Sequence, residues 1–195
     1  MPVLETPRLL IRPFESGDLQ AVYRLFDLEL FSATEPDRTA ALGKRAEWLQ
    51  WAALNHRQLA LLDQPPYGDR AVILKESGTL IGSVGFVPCL APFAQMPNFD
   101  YHEPSASAVR SNPELGLFYA ISPSYQRRGY ATEAARSMID YAFRSLRLKQ
   151  IIATTQYDNL ASQAVMRKLG MTLARNPLPE PPWLQVVGVL NNGLQ

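Results

Sequence analysis

The stretch from Glu114 to Leu146 constrains the fold more than any other in this chain. An apolar segment, Leu115 to Ile121, breaks at Ser122 and Pro123 and gives way to a basic, glycine-bearing turn of Gln126, Arg127, Arg128, Gly129, Tyr130 and Ala131. Beyond the turn, Ala131, Ala135, Met138, Ile139, Ala142, Phe143 and Leu146 fall on one side of a 3.6-residue period, which predicts a helix with one buried face. A strand that feeds a helix through such a turn leaves backbone N–H groups without an intrachain acceptor, and together with the helix dipole they suit a phosphate or pyrophosphate. Gly129 has no Cβ, so the backbone there can come close to a ligand. Thr132 and Glu133 stand where a hydroxyl or a carboxylate would suit the same N–H groups, in competition with a bound anion.

Elsewhere the pattern alternates between strands and helices. Leu9 to Ile11 predicts a short strand, and Ser16 with Asp18 offers caps for a helix carrying Leu19, Val22, Tyr23, Phe26 and Leu30. A second helix is expected from near Thr39, with Leu42, Ala46, Leu49 and Ala53 on one face. Residues 71–74 and Leu80 to Val87, joined through Ser77 and Gly78, read as a β-hairpin. Residues 88–113 hold Pro88, Pro92, Pro97, Pro104 and Pro113 and read as one long loop, the kind of segment that often serves as a lid or binding loop. Ile151 to Thr155, rich in β-branched residues, is a further strand, and the order strand, helix, strand implies a parallel pair. A helix from about Ala161 to Leu169 is expected to be capped by Asp158 or Asn159 and ended by Gly170. Leu184 to Leu190 gives the last strand, after a stiff connector containing Pro177, Pro179, Pro181 and Pro182.

At 195 residues the chain suits one domain, 1–195, with a sizeable core. A formal net charge of +1 argues against a broad nucleic-acid or membrane-binding surface, leaving Arg127 and Arg128 as a local basic feature. The single Cys89 excludes an intrachain disulfide, and the first residues show neither the basic region nor the apolar run of a signal peptide. No uncharged apolar stretch approaches the ~20 residues that span a bilayer, so a soluble, cytoplasmic protein is expected. His56 and His102 stand apart from any second His, Cys or spaced carboxylate pair, and no metal site is expected.

The pattern Gln126, Gly129, Ala131, in the form Q-x-x-G-x-A, resembles the acyl-CoA signature of the GNAT N-acetyltransferases. The likeness continues in Glu5 to Pro13, in Gly129 to Ala134, and from Asn159 through Ser162 to Lys168, Leu169, Gly170 and Met171, which look like the RimJ/RimL branch of that superfamily. It covers most of the chain; 88–113 and 175–182 match poorly. The resemblance implies an α/β (α+β) fold with a mixed, mostly antiparallel central sheet splayed at a parallel strand pair and flanked by helices. It implies acetyl-CoA as acyl donor, its diphosphate on the backbone of Arg127, Arg128, Gly129, Tyr130, Ala131 and Thr132 with Gln126 in the same turn. The pantetheine arm would pair with strand backbone near Ile121, and Asn159 is similar to the asparagine that bonds this arm in relatives, although an ordinary helix cap explains it equally well. The long loop would lie on the acceptor side, and a homodimer is compatible with the branch.

The chemistry asks for an uncharged amine, a polarised thioester carbonyl and a proton for the leaving thiolate. A lysine amine titrates near ~10.4 and a protein N-terminus near ~7.7–8.0, so a general base matters more for the former. Glu114, at the head of the strand, is the carboxylate suited to that role. Many relatives carry a tyrosine as general acid at the position where this chain has Met166, and Ser162, one turn earlier, is the substitute. Trp48 and Trp51 are candidates for walling the acceptor pocket or for core packing, and Tyr101 and His102 in the long loop for touching an acceptor or for an exposed position. The reading is an acetyl-CoA-dependent acyltransferase acting on a primary amine, of a protein N-terminus or a small molecule, by direct attack in a ternary complex. The alternative is a non-catalytic acyl-CoA-binding sensor. A dinucleotide fold is set aside, because no G-x-G-x-x-G follows a strand.

Overall fold

The computed structural model describes residues 1–30, 37–65, 67–103 and 110–193. Contacts divide the chain into two compact units, Met1–Phe86 with Phe118–Met138, and Val87–Leu117 with Ile139–Gln195.

In the first unit β1 (Leu4–Glu5), β2 (Leu9–Pro13), β3 (Gly68–Leu74) and the first part of β4 (Thr79–Ala91) form an antiparallel series. The register is set by Leu4↔Ile11, Leu9↔Leu74 and Leu74↔Thr79, the last of these closing the expected hairpin. Gly78, at φ +67, supplies the left-handed residue that this turn needs. The end of β5 (Asn112–Ile121) follows β4 in the strand order. Over these strands lie α1 (Leu19–Tyr23), a π-helical stretch (Arg24–Leu30) and α2 (Arg38–Leu61), whose first turn is capped by the Asp37 carboxylate accepting from Thr39 N–H. Phe14, Val22, Leu25, Phe26, Leu49, Ala52, Ala71, Ile73 and Leu80 make the core, a mix that draws every other residue from strands and every third or fourth from helices. Trp48 packs edge-on against Phe14 at 5.3 Å and Phe26 at 5.4 Å, whereas Trp51 stands exposed. Of the two tryptophans, then, Trp48 is a packing residue.

In the second unit the strand order is β4, β5, β6 (Gln150–Thr155), β8 (Val186–Asn191) and β7 (Thr172–Arg175). β5 and β6 pair in parallel at Gly116↔Ile152, while β6 and β7 each pair antiparallel with β8. Helix α4 (Leu160–Leu169) ends at Gly170, φ +90, as the sequence implied. The core here is Ala91, Phe93, Met96, Phe99, Ile152, Leu184, Val187 and Val189. Mostly antiparallel pairing with one parallel pair, combined with helices, is the expected fold class. Helix α3 (Tyr130–Arg144) buries Ala134, Ala135, Met138, Ile139 and Ala142, the apolar face read from its period.

Three boundaries differ from expectation. β4 continues to Ala91, so the loop expected over 88–113 is shorter at both ends: β5 already begins at Asn112, and Phe93–Gln95 forms a 3-10 turn. Pro88 is tolerated because the β3 register ends at Gly68↔Phe86, before the missing N–H would be needed. Pro104, within 104–109, lies outside the described residues. The helix expected over 19–30 is α-helical only to Tyr23 before it widens into the π-helical stretch, and β7 was not expected at all.

Two glycines test the packing in opposite directions. A Cβ on Gly82 would overlap the Ala120 carbonyl oxygen and come within 2.6 Å of Ile121 Cδ1, whereas one on Gly43, inside α2, would meet nothing within 4 Å. Gly82→Ala is expected to destabilise by about 1–3 kcal/mol and Gly43→Ala to stabilise by about 0.5–1 kcal/mol, measured by urea unfolding.

Candidate active site

In the first unit the end of β5 runs into a 3-10 turn, Pro123–Tyr125, with Tyr125 N–H donating to Ser122 O at 2.8 Å and Gln126 N–H to Pro123 O at 3.3 Å. The Gln126 side chain folds back and donates to Ile121 O at 2.8 Å, tying the turn to the strand end. Arg127 and Gly129 then take left-handed angles, φ +62 and +84. The first N–H of the following helix to find a backbone acceptor is Glu133, on Gly129 O at 3.0 Å. Among the described residues no protein acceptor takes the backbone N–H groups of residues 127–132. A Cβ on Gly129 would meet only Arg8 Nη2, at 3.5 Å, so glycine is required here by backbone angle and not by crowding.

Glu133 does not cap these N–H groups, which corrects the expectation for that residue. Its carboxylate accepts from Thr6 Oγ1 at 2.6 Å, Arg8 N–H at 3.0 Å and Arg8 Nε at 2.7 Å, with Arg8 Nη2 at 2.6 Å. The acceptor best placed to compete with an anion is thus drawn aside. Burial pushes the Glu133 carboxyl up, but the Thr6 hydroxyl and the Arg8 guanidinium and amide outweigh it and hold the group below its ordinary value of 4.5. Arg127 and Arg128 are exposed; the Arg128 guanidinium lies 5.8 Å from the Tyr125 ring centroid. Tyr130 is buried beneath the Arg8 guanidinium, 4.4 Å from its ring centroid, and Ala131 and Thr132 are half-buried.

In the second unit Asn159 is exposed and its Oδ1 accepts from Ser162 N–H at 3.0 Å, the geometry of a helix cap. This leaves the amide NH2 as its free-facing chemistry. Met166 is fully buried, and its Sδ would lie 3.2 Å from a Cβ on Gly188. The position where the resemblance leads one to expect a phenol is therefore a core position in this chain. Glu114 is half-buried; its Oε1 accepts from Tyr101 OH and from Gln150 Nε2 at 2.6 Å. Burial, then the hydrogen bond and the charge of Glu114, push the Tyr101 phenol far up. Cys89, against Gly116, is also pushed up, first by burial and further by Glu114. His102 Nδ1 lies 2.9 Å from Ala94 O, a local contact.

Sequence reasoning missed the partners in both clusters. Thr6 and Arg8 lay inside a stretch already singled out, with nothing in the sequence to say that they reach Glu133. Gln150 carried no signal.

The strand order, the parallel pair and the amide-presenting turn before α3 agree with the fold that the resemblance implied. The family model for the acetyltransferase (GNAT) domain matches residues 8–172. The uncharacterized N-acetyltransferase YnaD of Bacillus subtilis strain 168 is 33% identical over 172 residues, covering 86% of this chain and 81% of YnaD. Among solved structures, the ribosomal-protein-S5-alanine acetyltransferase of Vibrio fischeri aligns with a TM-score of 0.66 at 20% identity, covering 99% of this chain and 98% of its own. RimL, the ribosomal L7/L12 alpha-N-protein acetyltransferase in complex with coenzyme A, aligns at 0.60 and 14%, covering 96% of this chain and 94% of its own. This chain belongs to the GNAT acetyltransferase family and is an acetyl-transferring enzyme. Among the described residues no group of three His, Cys, Asp or Glu could hold a metal ion, and no helix is long and apolar enough to cross a membrane.

Because the folded Glu133 carboxyl titrates below its ordinary value of 4.5, its ion pair contributes stability above that pH and loses it as pH falls through the depressed folded value. The difference in unfolding free energy between wild type and Glu133→Gln is therefore expected to be largest near neutrality. It should shrink in a urea series carried into the acid range.

Proposed function

We propose that this protein transfers the acetyl group of acetyl-CoA to a primary amine, of a protein N-terminus or a small molecule, by direct attack in a ternary complex. The observation that carries the reading is the run of backbone N–H groups at 127–132 that donate to no acceptor within the described chain, ahead of a 15-residue helix. Such donors, with the positive end of the dipole, fit a diphosphate. In this reading Arg127, Arg128, Gly129, Tyr130, Ala131 and Thr132 hold the diphosphate through backbone, and Gln126 keeps the turn joined to Ile121. The Asn159 amide serves the pantetheine arm, since its carbonyl oxygen is already committed to the cap.

In the transfer, the amine nitrogen attacks the thioester carbonyl carbon, a C–N bond forms and the C–S bond breaks. Glu114 takes the proton that the amine gives up, directly or through water. Tyr101 and Gln150 both bond Oε1, and among the described residues no donor bonds Oε2, which is the oxygen to receive it. The departing thiolate takes a proton from Ser162 or from water; a thiol pKa around ~8.5 makes it a tolerable leaving group without a phenol. The RimJ/RimL-like branch is supported by the structural likeness to two ribosomal-protein acetyltransferases, and an α-amino acceptor would need less help from a base than a lysine.

Calorimetric titration of acetyl-CoA is expected to show micromolar binding to wild type and none to Gly129→Asp, which strains a left-handed position and places a carboxylate where the diphosphate would lie. No binding to wild type overturns the proposal. Glu114→Gln should bind acetyl-CoA as wild type does while losing about 10²–10⁴ in kcat over a panel of peptide and small-molecule amines. Binding without turnover by wild type on the whole panel would favour an acyl-CoA sensor.

A further inference from the structure

The two stretches that carried the sequence resemblance near the start of the chain and at the start of α3 meet in space at one carboxylate. We propose that Thr6 and Arg8 are positioning residues for the acyl-donor site, holding the 126–132 turn open and keeping the Glu133 charge away from the bound anion. The inference rests on the donor site proposed above and goes beyond it in naming what makes that site competent.

Every polar end of the cluster is engaged. Glu133 Oε1 accepts from the Thr6 hydroxyl and from Arg8 N–H, and Oε2 accepts from Arg8 Nε. Arg8 Nη2 lies on the same oxygen at 2.6 Å, and Nη1 donates to Arg128 O at 3.0 Å. One guanidinium thereby holds both a side chain of the first helical turn and the backbone of the residue before Gly129. Thr6 is itself fixed, since its N–H donates to Leu9 O at 3.0 Å and its Oγ1 accepts from Leu9 N–H at 2.9 Å. Behind the guanidinium the Tyr130 ring closes the other side. With each of its nitrogens on a protein acceptor, Arg8 acts through the turn and not as a loose phosphate cation.

Two effects follow from its removal. The turn loses its anchor at Arg128 O, and Glu133 is left as an uncompensated negative charge at the helix N-terminus, where it is attracted to the same N–H groups that the diphosphate needs. These effects differ in how a second substitution changes them. Removing the Glu133 charge in an Arg8→Ala background removes the competition, so the double variant should bind better than the single one. A residue that merely supported the fold would give the opposite order.

The test is calorimetric titration of coenzyme A into wild type, Arg8→Ala, Arg8→Lys, Glu133→Gln and Arg8→Ala/Glu133→Gln, with melting curves and hydrogen exchange of the 127–132 amides in the ligand-free proteins. Arg8→Ala should weaken coenzyme A binding by about tenfold or more, with Arg8→Lys intermediate because a lysine neutralises without the fork geometry. The double variant should bind at least about threefold more tightly than Arg8→Ala, by the dipole and charge argument, while staying weaker than wild type because the anchor at Arg128 O is still missing. Exchange at 127–132 should quicken in Arg8→Ala. Wild-type affinity in Arg8→Ala, or a double variant as weak as the single one, overturns the inference and leaves the donor site standing. If wild type itself does not bind coenzyme A, the donor reading falls with the affinity half of the inference; unchanged exchange in Arg8→Ala, or in Arg8→Lys if the alanine variant does not fold, then overturns the remainder. Should wild type bind and all three orders hold, the positioning role is established.

Discussion

An α-helix cannot satisfy its own first N–H groups, and the arrangement at the start of α3 depends on how that debt is left open. Most helices close it with a side chain, and α2 and α4 do so through Asp37 and Asn159. α3 carries a suitable carboxylate in its first turn and does not use it there. Glu133 is bound instead by Thr6 and Arg8, so the same residue that would seal the helix end fastens it to the start of β2. The left-handed angles at Arg127 and Gly129 belong to the same constraint, because a chain leaving a strand must reverse quickly if the amides are to be gathered ahead of the helix axis. The buried face of α3, from Ala134 to Ala142, then fixes the direction of the dipole.

Around Glu114 the electrostatics follow from burial and a single charge. The Tyr101 phenol is pushed toward its neutral form by burial and then by the carboxylate, and the Cys89 thiol by burial, against the opposing Gly116 backbone bond and with a smaller push from the same carboxylate. Tyr101 consequently serves as a hydrogen-bond donor that orients Glu114, and Gln150 adds a second neutral donor to the same oxygen. Two neutral donors on one oxygen fix the orientation of the carboxylate without neutralising its charge.

Much of this was legible in the sequence wherever a local rule acts alone. The Asn159 cap, the Gly170 stop, the buried face of α3 and the glycine in the turn each follow from a rule that reaches no further than one helical turn. What the sequence did not disclose depends on partners distant along the chain. Glu133 reads as a cap until Arg8, 125 residues away, is brought to it. Pro88 reads as a loop residue until it is known that β3 stops opposite Phe86. β7 carries no strand signal of its own, because its four residues, Thr172–Arg175, stand between a helix stop and a proline run; pairing with β8 makes them a strand.

Met166 occupies a position that packing governs. It is a fully buried thioether facing Gly188, a strand position where a Cβ would already crowd the sulfur at 3.2 Å. Met171 approaches the same place from the other side of the helix stop. The close approach of α4 to β8 is therefore made by a flexible side chain over a glycine, and a rigid ring in its place would have to displace that contact. On the proposed reaction, protonation of the departing thiolate is left to Ser162 or to water. Such a weak acid suffices because a thiolate, with a thiol pKa of ~8.5, leaves with little help.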